Sequence, residues 1–229
     1  MQQIRAILFD KDGTLFDFQA TWGAWAQVLL ADLAEGDAAL TAVLAGALEF
    51  DPATARFLPS SPVIAGTGRE VAELLAPHLP GQDVDALELR IAQAAADVPL
   101  APAVPLRALL QRLRDAGLRL GVATNDFERV ARRHVADVLD LFDFIAGFDS
   151  GHGGKPEPGM LLAFARACGL PPEAVLMVGD SRHDLQAGRA AGMATLGVLT
   201  GVAGAEDLAP LADAVRADIG HLPQLLGLT

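Results

Sequence analysis

The sequence predicts an α/β protein: a layered core on a mainly parallel sheet, interrupted by an α-helical insertion. Three observations predict it. Short apolar runs recur without clean alternation, as strands buried on both faces of a parallel sheet do. Most of these runs lead through polar or glycine-rich residues into a helical pattern, which implies right-handed crossovers. One long segment, residues 17 to about 100, breaks that alternation and offers helices without a convincing strand.

The strand runs are Ile4–Phe9, Leu118–Ala123, Phe144–Ala146, Val175–Val178 and Ala194–Leu199. Core helices are expected at Pro105–Ala116, Phe127–Leu139, Pro158–Cys168 and Asp184–Ala191. Gly117, Gly169 and Gly192 follow three of them and read as C-terminal caps. In the insertion, helices are expected at Ala20–Leu33, Ala38–Leu48, Arg69–Leu75 and Val84–Asp97. Pro/Ser/Gly punctuation separates them, as in LPSSP and HLPG. The stretch Pro99-Leu100-Ala101-Pro102 resembles a linker back to the core. The division is therefore residues 1–16 and 101–229 as core, and 17–100 as insertion.

Composition narrows the function. The chain has 229 residues, a net charge of −12 and 52% hydrophobic residues. Such a chain can bury a sizeable core, which excludes disorder. The negative charge argues against nucleic-acid or anionic-membrane partners, because both are held by Lys and Arg. The single cysteine, Cys168, cannot form an intrachain disulfide and fits a reducing, cytoplasmic setting. The opening MQQIRAILFDKDG runs from a short apolar stretch straight into two aspartates, unlike a signal peptide. Apolar runs elsewhere are broken well short of the ~20 residues that span a bilayer.

Four polar clusters follow the strand runs. Asp10-Lys11-Asp12-Gly13-Thr14 follows the first. Carboxylates at i and i+2 beyond a strand end can face one pocket; an acidic turn is the plain alternative. Thr124-Asn125-Asp126 follows the second, where a hydroxyl and an amide can hold phosphate oxygens or cap the next helix. Gly153-Gly154-Lys155-Pro156-Glu157-Pro158 places a lysine just before a helix, either as an anion contact or as a solvated surface residue. Gly179-Asp180-Ser181-Arg182-His183-Asp184 carries two carboxylates that suit a hard divalent cation or cap a helix.

Each cluster alone is ambiguous. In an open α/β sheet, however, the carboxyl ends of parallel strands share one edge, so all four converge. Asp10, Asp12, Asp180 and Asp184 against Lys155 then leave about −3 charges, which a Mg²⁺ ion would cut to about −1.

This ordered set resembles the haloacid dehalogenase-like hydrolase superfamily, and its phosphoglycolate-phosphatase-like subgroup most closely. That subgroup inserts a helical cap between the first and second motifs. The resemblance covers essentially the whole core, and the cap matches in position and helical character. It implies a Rossmann-like three-layer core with an inserted α-helical cap domain. Carried over, it makes Asp10 the nucleophile that forms an aspartyl-phosphate and Asp12 the general acid, then base. Thr124 and Asn125 bind the phosphoryl group, and Lys155 neutralises nucleophile and phosphate. Asp10, Asp180 and the Asp12 carbonyl hold Mg²⁺, with Asp184 touching the metal or a water on it. No motif position departs from the pattern.

The resemblance implies a Mg²⁺-dependent phosphatase acting, as monomer or homodimer, on a small phosphorylated metabolite. Phosphoglycolate, a sugar phosphate, a nucleotide and other small esters fit the motifs equally. A phosphomutase would share every core motif. A dehalogenase is disfavoured, because displacing halide needs neither Mg²⁺ nor protonation by Asp12. A non-enzymatic phosphoacceptor switch lacks the insertion and places its acceptor after a middle strand. Selectivity is expected from the insertion, whose closure would exclude water. Gly66-Thr67-Gly68-Arg69 reads as the loop reaching the pocket, with Arg69 pairing a substrate anion. The alternative is an ordinary helix entry with Thr67 or Gly68 at its start.

Overall fold

All four residues of Ala6–Phe9 (β1) are buried, so nothing selects alternation in this run. The computed structural model describes residues 4–64, 66–96 and 98–228. The chain divides into two units, Met1–Asp17 with Pro102–Thr229, and Phe18–Ala101.

After β1 the chain enters the second unit. It contains α1 (Phe18–Leu33), α2 (Ala38–Ala47), a hairpin of β2 (Phe50–Asp51) and β3 (Arg56–Phe57), then α3 (Gly68–Leu75) and α4 (Val84–Ala96). The antiparallel hairpin corrects the expectation of a strand-free insertion. Two-residue strands are too short to show a period of two. Tertiary partners hold the hairpin: the Gln19 amide both donates to and accepts from the Phe57 backbone, at 2.8 and 3.0 Å. Phe18 and Phe50 pack their rings on Phe57. Trp22 and Trp25 are buried in this unit's core, ring against ring. Asp97, the last residue of the expected fourth helix, lies outside the described residues.

The first unit resumes with α5 (Leu106–Asp115), β4 (Arg119–Ala123), α6 (Glu128–His134), β5 (Phe144–Ala146) and α7 (Gly159–Cys168). It continues with β6 (Val175–Gly179), α8 (Arg182–Ala191), β7 (Ala194–Val198), α9 (Ala205–Leu208), β8 (Ala214–Arg216) and α10 (Leu222–Leu225). The helix expected over Phe127–Leu139 is shorter: α6 stops at His134, and a 3₁₀ turn covers Ala136–Leu141. Buried Val135, Val138 and Leu141 recur every three residues, which is the 3₁₀ repeat and not the α one. The edge strand β8 went unread because it is three residues long and only partly buried. Cys168 is half-buried beside the core.

The six-stranded sheet has the order β5-β4-β1-β6-β7-β8, and every pairing is parallel. From β1 the chain builds outward through β4 and β5, then crosses to β6 on the other side. That reversal beside β1 is where open α/β sheets bind ligands. One face of the sheet packs on α7 and α8 through Leu8, Met177, Met160, Phe164 and Ala187.

Candidate active site

The register pairs Phe9 with Val122 on β4 and with Val178 on β6. Three adjacent strands therefore end at one level, and the residues just beyond them, Asp10, Thr124 and Asp180, emerge at one edge. Asp10 is fixed there by its backbone N–H, which donates to the Val178 carbonyl at 2.8 Å. The chain then turns sharply: Leu15 and Phe16 N–H groups donate to the Lys11 carbonyl. Gly13, at φ 82°, supplies the left-handed residue this turn needs.

Asp10, Asp180 and Asp184 are all buried, and each offers a carboxylate oxygen within 4.8 Å of the others. Lys155 lies among them. Its ammonium pairs with Asp10 and stands 2.6 Å from Asp184 Oδ1. At 7% exposure Lys155 is not the surface lysine its glycine-rich loop allowed. Asp184 sits in the first turn of α8, where its Oδ2 accepts from the Ser181 N–H at 3.0 Å and hydroxyl at 2.6 Å. That is a capping box, so the capping and site roles weighed for Asp184 coexist in one carboxylate.

Asn125 bonds twice to the Lys155 backbone. Its Nδ2 donates to the Lys155 carbonyl at 2.9 Å, and its Oδ1 accepts from the Lys155 N–H at 2.8 Å. The side chain thus clamps the Lys155 backbone. Thr124 is buried, and its hydroxyl accepts from the Asp126 N–H at 3.1 Å. The α6 N-cap is Phe127, without a side-chain cap, so Thr124-Asn125-Asp126 does not serve as that helix's cap.

Asp12 points its Oδ2 to the Lys11 ammonium at 2.6 Å. Four further residues enclose Asp180, and the sequence assigned none of them a role there. The Thr14 hydroxyl donates to Asp180 Oδ1 at 3.2 Å. Thr200 donates to the Gly13 carbonyl at 2.6 Å, which ties the loop after β7 to the first motif. A Cβ at Gly13 or at Gly201 would strike the Asp180 carboxylate, so both positions must be bare. Only the glycine-threonine pattern signals them, and it says nothing of which carboxylate they enclose.

Arg69 corrects an expectation. It belongs to α3, not to a loop, and it pairs with Glu73, Asp85 and Glu88. Thr67 is the N-cap, in a capping box with Glu70. The stretch is thus the ordinary helix entry, and the Arg69 guanidinium ties α3 to α4.

Burial pushes the Asp10 carboxyl up to about 7; Lys155 opposes that rise, while Asp184 and Asp12 add to it. Asp180 is raised well above the carboxylate range by burial and by the charges of Asp10 and Asp184. Burial alone would lower Lys155, but Asp10 and Asp184 outweigh it and hold the ammonium above its usual range. A dense, buried, oxygen-only set in which carboxylates resist ionising fits a hard divalent cation.

A family model of haloacid dehalogenase-like hydrolases matches residues 4–192. The chain belongs to that family. Among curated relatives, this hydrolase is 31% identical over 212 residues to the phosphoglycolate phosphatase of Pseudomonas putida, covering 86% of the chain and 70% of the relative. The phosphoglycolate phosphatase of Nitrosospira multiformis is 29% identical over 202 residues, covering 82% and 80%. Among solved structures, a haloacid dehalogenase family hydrolase from Deinococcus radiodurans with bound phosphate and sodium superposes with a TM-score of 0.70. It is 27% identical, covering 100% of this chain and 98% of that one. The enzyme is a phosphatase of this family, within its phosphoglycolate-phosphatase-like subgroup. Among the described residues no helix is long and apolar enough to cross a membrane.

Proposed function

We propose that the enzyme hydrolyses a small phosphate monoester, phosphoglycolate-like or a sugar phosphate, in two steps through an aspartyl-phosphate on Asp10. One observation carries this reading: a buried lysine bridges two carboxylates at the carboxyl end of the central strand, beside a third carboxylate. Phosphate monoesters demand up to ~10²¹-fold acceleration, which calls for several charged groups acting together.

Asp10, Asp180 and the Asp12 backbone carbonyl would hold Mg²⁺, with Asp184 beside them. When bound, Mg²⁺ supplies the positive charge that keeps Asp10 ionised and lets a phosphate dianion approach it. In the first step an Asp10 oxygen bonds to phosphorus while the ester P–O bond breaks. Its electron pair goes to the leaving oxygen, which takes the Asp12 proton. In the second step water attacks phosphorus and gives a proton to Asp12, and the P–O bond to Asp10 breaks, releasing inorganic phosphate. Lys155 holds Asp10 and offsets charge on the phosphoryl group, and Asn125 and Asp184 hold Lys155. Thr124 contacts the phosphoryl oxygens.

Residues 18–101 select the leaving group, because the core motifs recognise only phosphate and the reacting bond. The relatives' name favours phosphoglycolate among the candidates. The lone Cys168 and the acidic charge support a cytoplasmic setting without nucleic-acid or membrane partners. The test is phosphate release from a panel of phosphorylated metabolites, ranked by kcat/KM. Chelation should abolish it and Mg²⁺ should restore it, while Ca²⁺ substitutes poorly because its looser coordination misplaces the nucleophile. Full turnover in metal-free protein would overturn the metal assignment.

A further inference from the structure

We propose that Lys11 is a positioning residue for Asp12: its ammonium pins one carboxylate oxygen of Asp12 and so fixes the orientation in which that carboxyl exchanges its proton. The proposal deepens the reading of Asp12 as proton donor and rests on it.

Lys11 stands between the two aspartates of the first motif, and its side chain is fully buried. Burying an ammonium is costly, and an apolar side chain of similar length would fill the space without that cost. The charge is instead surrounded. Nζ lies 2.6 Å from Asp12 Oδ2, 2.9 Å from His134 Nδ1 and 3.4 Å from Asp126 Oδ2. An ammonium only donates, so Nδ1 of His134 accepts and carries no proton in this contact. His134 is the last residue of α6, and it too is buried. Asp126 belongs to the loop after β4; its other oxygen accepts from the Phe127 N–H at 2.7 Å. The ammonium is thus held by a helix end and a strand-end loop of the core.

The Asp12 side chain is 18% exposed, against none for Lys11. The pair therefore straddles the edge of the interior, with one Asp12 oxygen tied inward. A carboxylate so tied loses its rotation, and a proton donor placed in one orientation meets the leaving oxygen more often. Neither Lys11 nor His134 belongs to the three-carboxylate group.

The experiment measures kcat/KM with saturating Mg²⁺ over phosphate monoesters whose leaving groups run from a nitrophenol to a simple alcohol. Nitrophenolate leaves without protonation; an alkoxide does not. Lys11→Met should cost about 100-fold on alkyl esters and no more than about 5-fold on the nitrophenyl ester. Asp12→Asn, which removes the proton donor, should show the same steepening more strongly. Should Lys11→Met yield no folded protein, His134→Leu, which frees the ammonium without exposing a charge, must steepen the dependence by about 10-fold. If Asp12→Asn steepens the dependence while the Lys11 or His134 variant loses equally on every ester, or loses nothing, the Lys11 role is overturned and the proton donor stands. If Asp12→Asn does not steepen it either, both assignments fall.

Discussion

Lys155 and Arg69 are two cations with more than one carboxylate partner each, one in the core and one in the helical insertion. Both look like anion contacts in the sequence. Lys155 is enclosed between Asp10 and Asp184, with its backbone clamped by Asn125. The Arg69 side chain is 42% exposed and links two helices across their surface. The number of ion pairs is thus uninformative, and what surrounds them decides. A buried charge stripped of its partner is left uncompensated, whereas water and salt stand in for a lost surface partner.

The sharpest way to break this comparison is at the core's reacting group. Asp10→Asn keeps shape and removes the nucleophile, so kcat should fall at least ~10³-fold while the fold persists. More than a few per cent of wild-type turnover would end the nucleophile assignment. Next is Lys155→Met, which leaves Asp10 and Asp184 facing each other. Breaking a buried pair costs about 3–5 kcal/mol, so this variant should melt markedly lower as well as lose turnover. An unchanged melting temperature would mean that the site tolerates its charges without the lysine.

A subtler effect is the pH dependence of metal-free protein. Asp10 titrates near 7 when folded and near its ordinary 3.8 when unfolded, so between those values the folded state binds more protons. Its contribution to stability is therefore fully present below about 3.8 and lost as pH rises toward 7. Asp10→Asn removes that loss. In chelator its melting temperature should rise relative to wild type as pH goes from 4.5 to ~7.5, and Mg²⁺ should shrink the difference. A difference independent of pH would show that Asp10 is not strained. The smallest effect is expected at Arg69→Ala: a slight change in melting temperature, and kcat/KM altered alike for large and small substrates. A selective loss on a native doubly anionic substrate would restore the substrate-binding role and erase the contrast with Lys155.

Much of the core was legible because its signals are local. Buried strand runs, glycines closing α5, α7 and α8, and carboxylates just past β1 and β6 can each be read within a dozen residues. The runs at β1, β4, β5, β6 and β7 became parallel strands, and Gly117, Gly169 and Gly192 all take positive φ. The hairpin β2–β3 was illegible because two-residue strands carry no period, and the edge strand β8, as short as β5, because it lacks a buried run.

What the sequence by itself determined is the fold class and the edge at which Asp10, Thr124, Lys155, Asp180 and Asp184 would gather. The strand order and register seen in the structure carry the motifs to that edge. Only the tertiary structure decided how those groups are held. Asn125 clamps the Lys155 backbone, Arg69 ties α3 to α4, and Lys11 is a buried cation against His134, 123 residues away. Thr14, Thr200, Gly13 and Gly201 closed around Asp180. The physical reason is that a side chain's partners are set by which segments pack together. Desolvation then decides whether the pairing matters, and no local pattern encodes either.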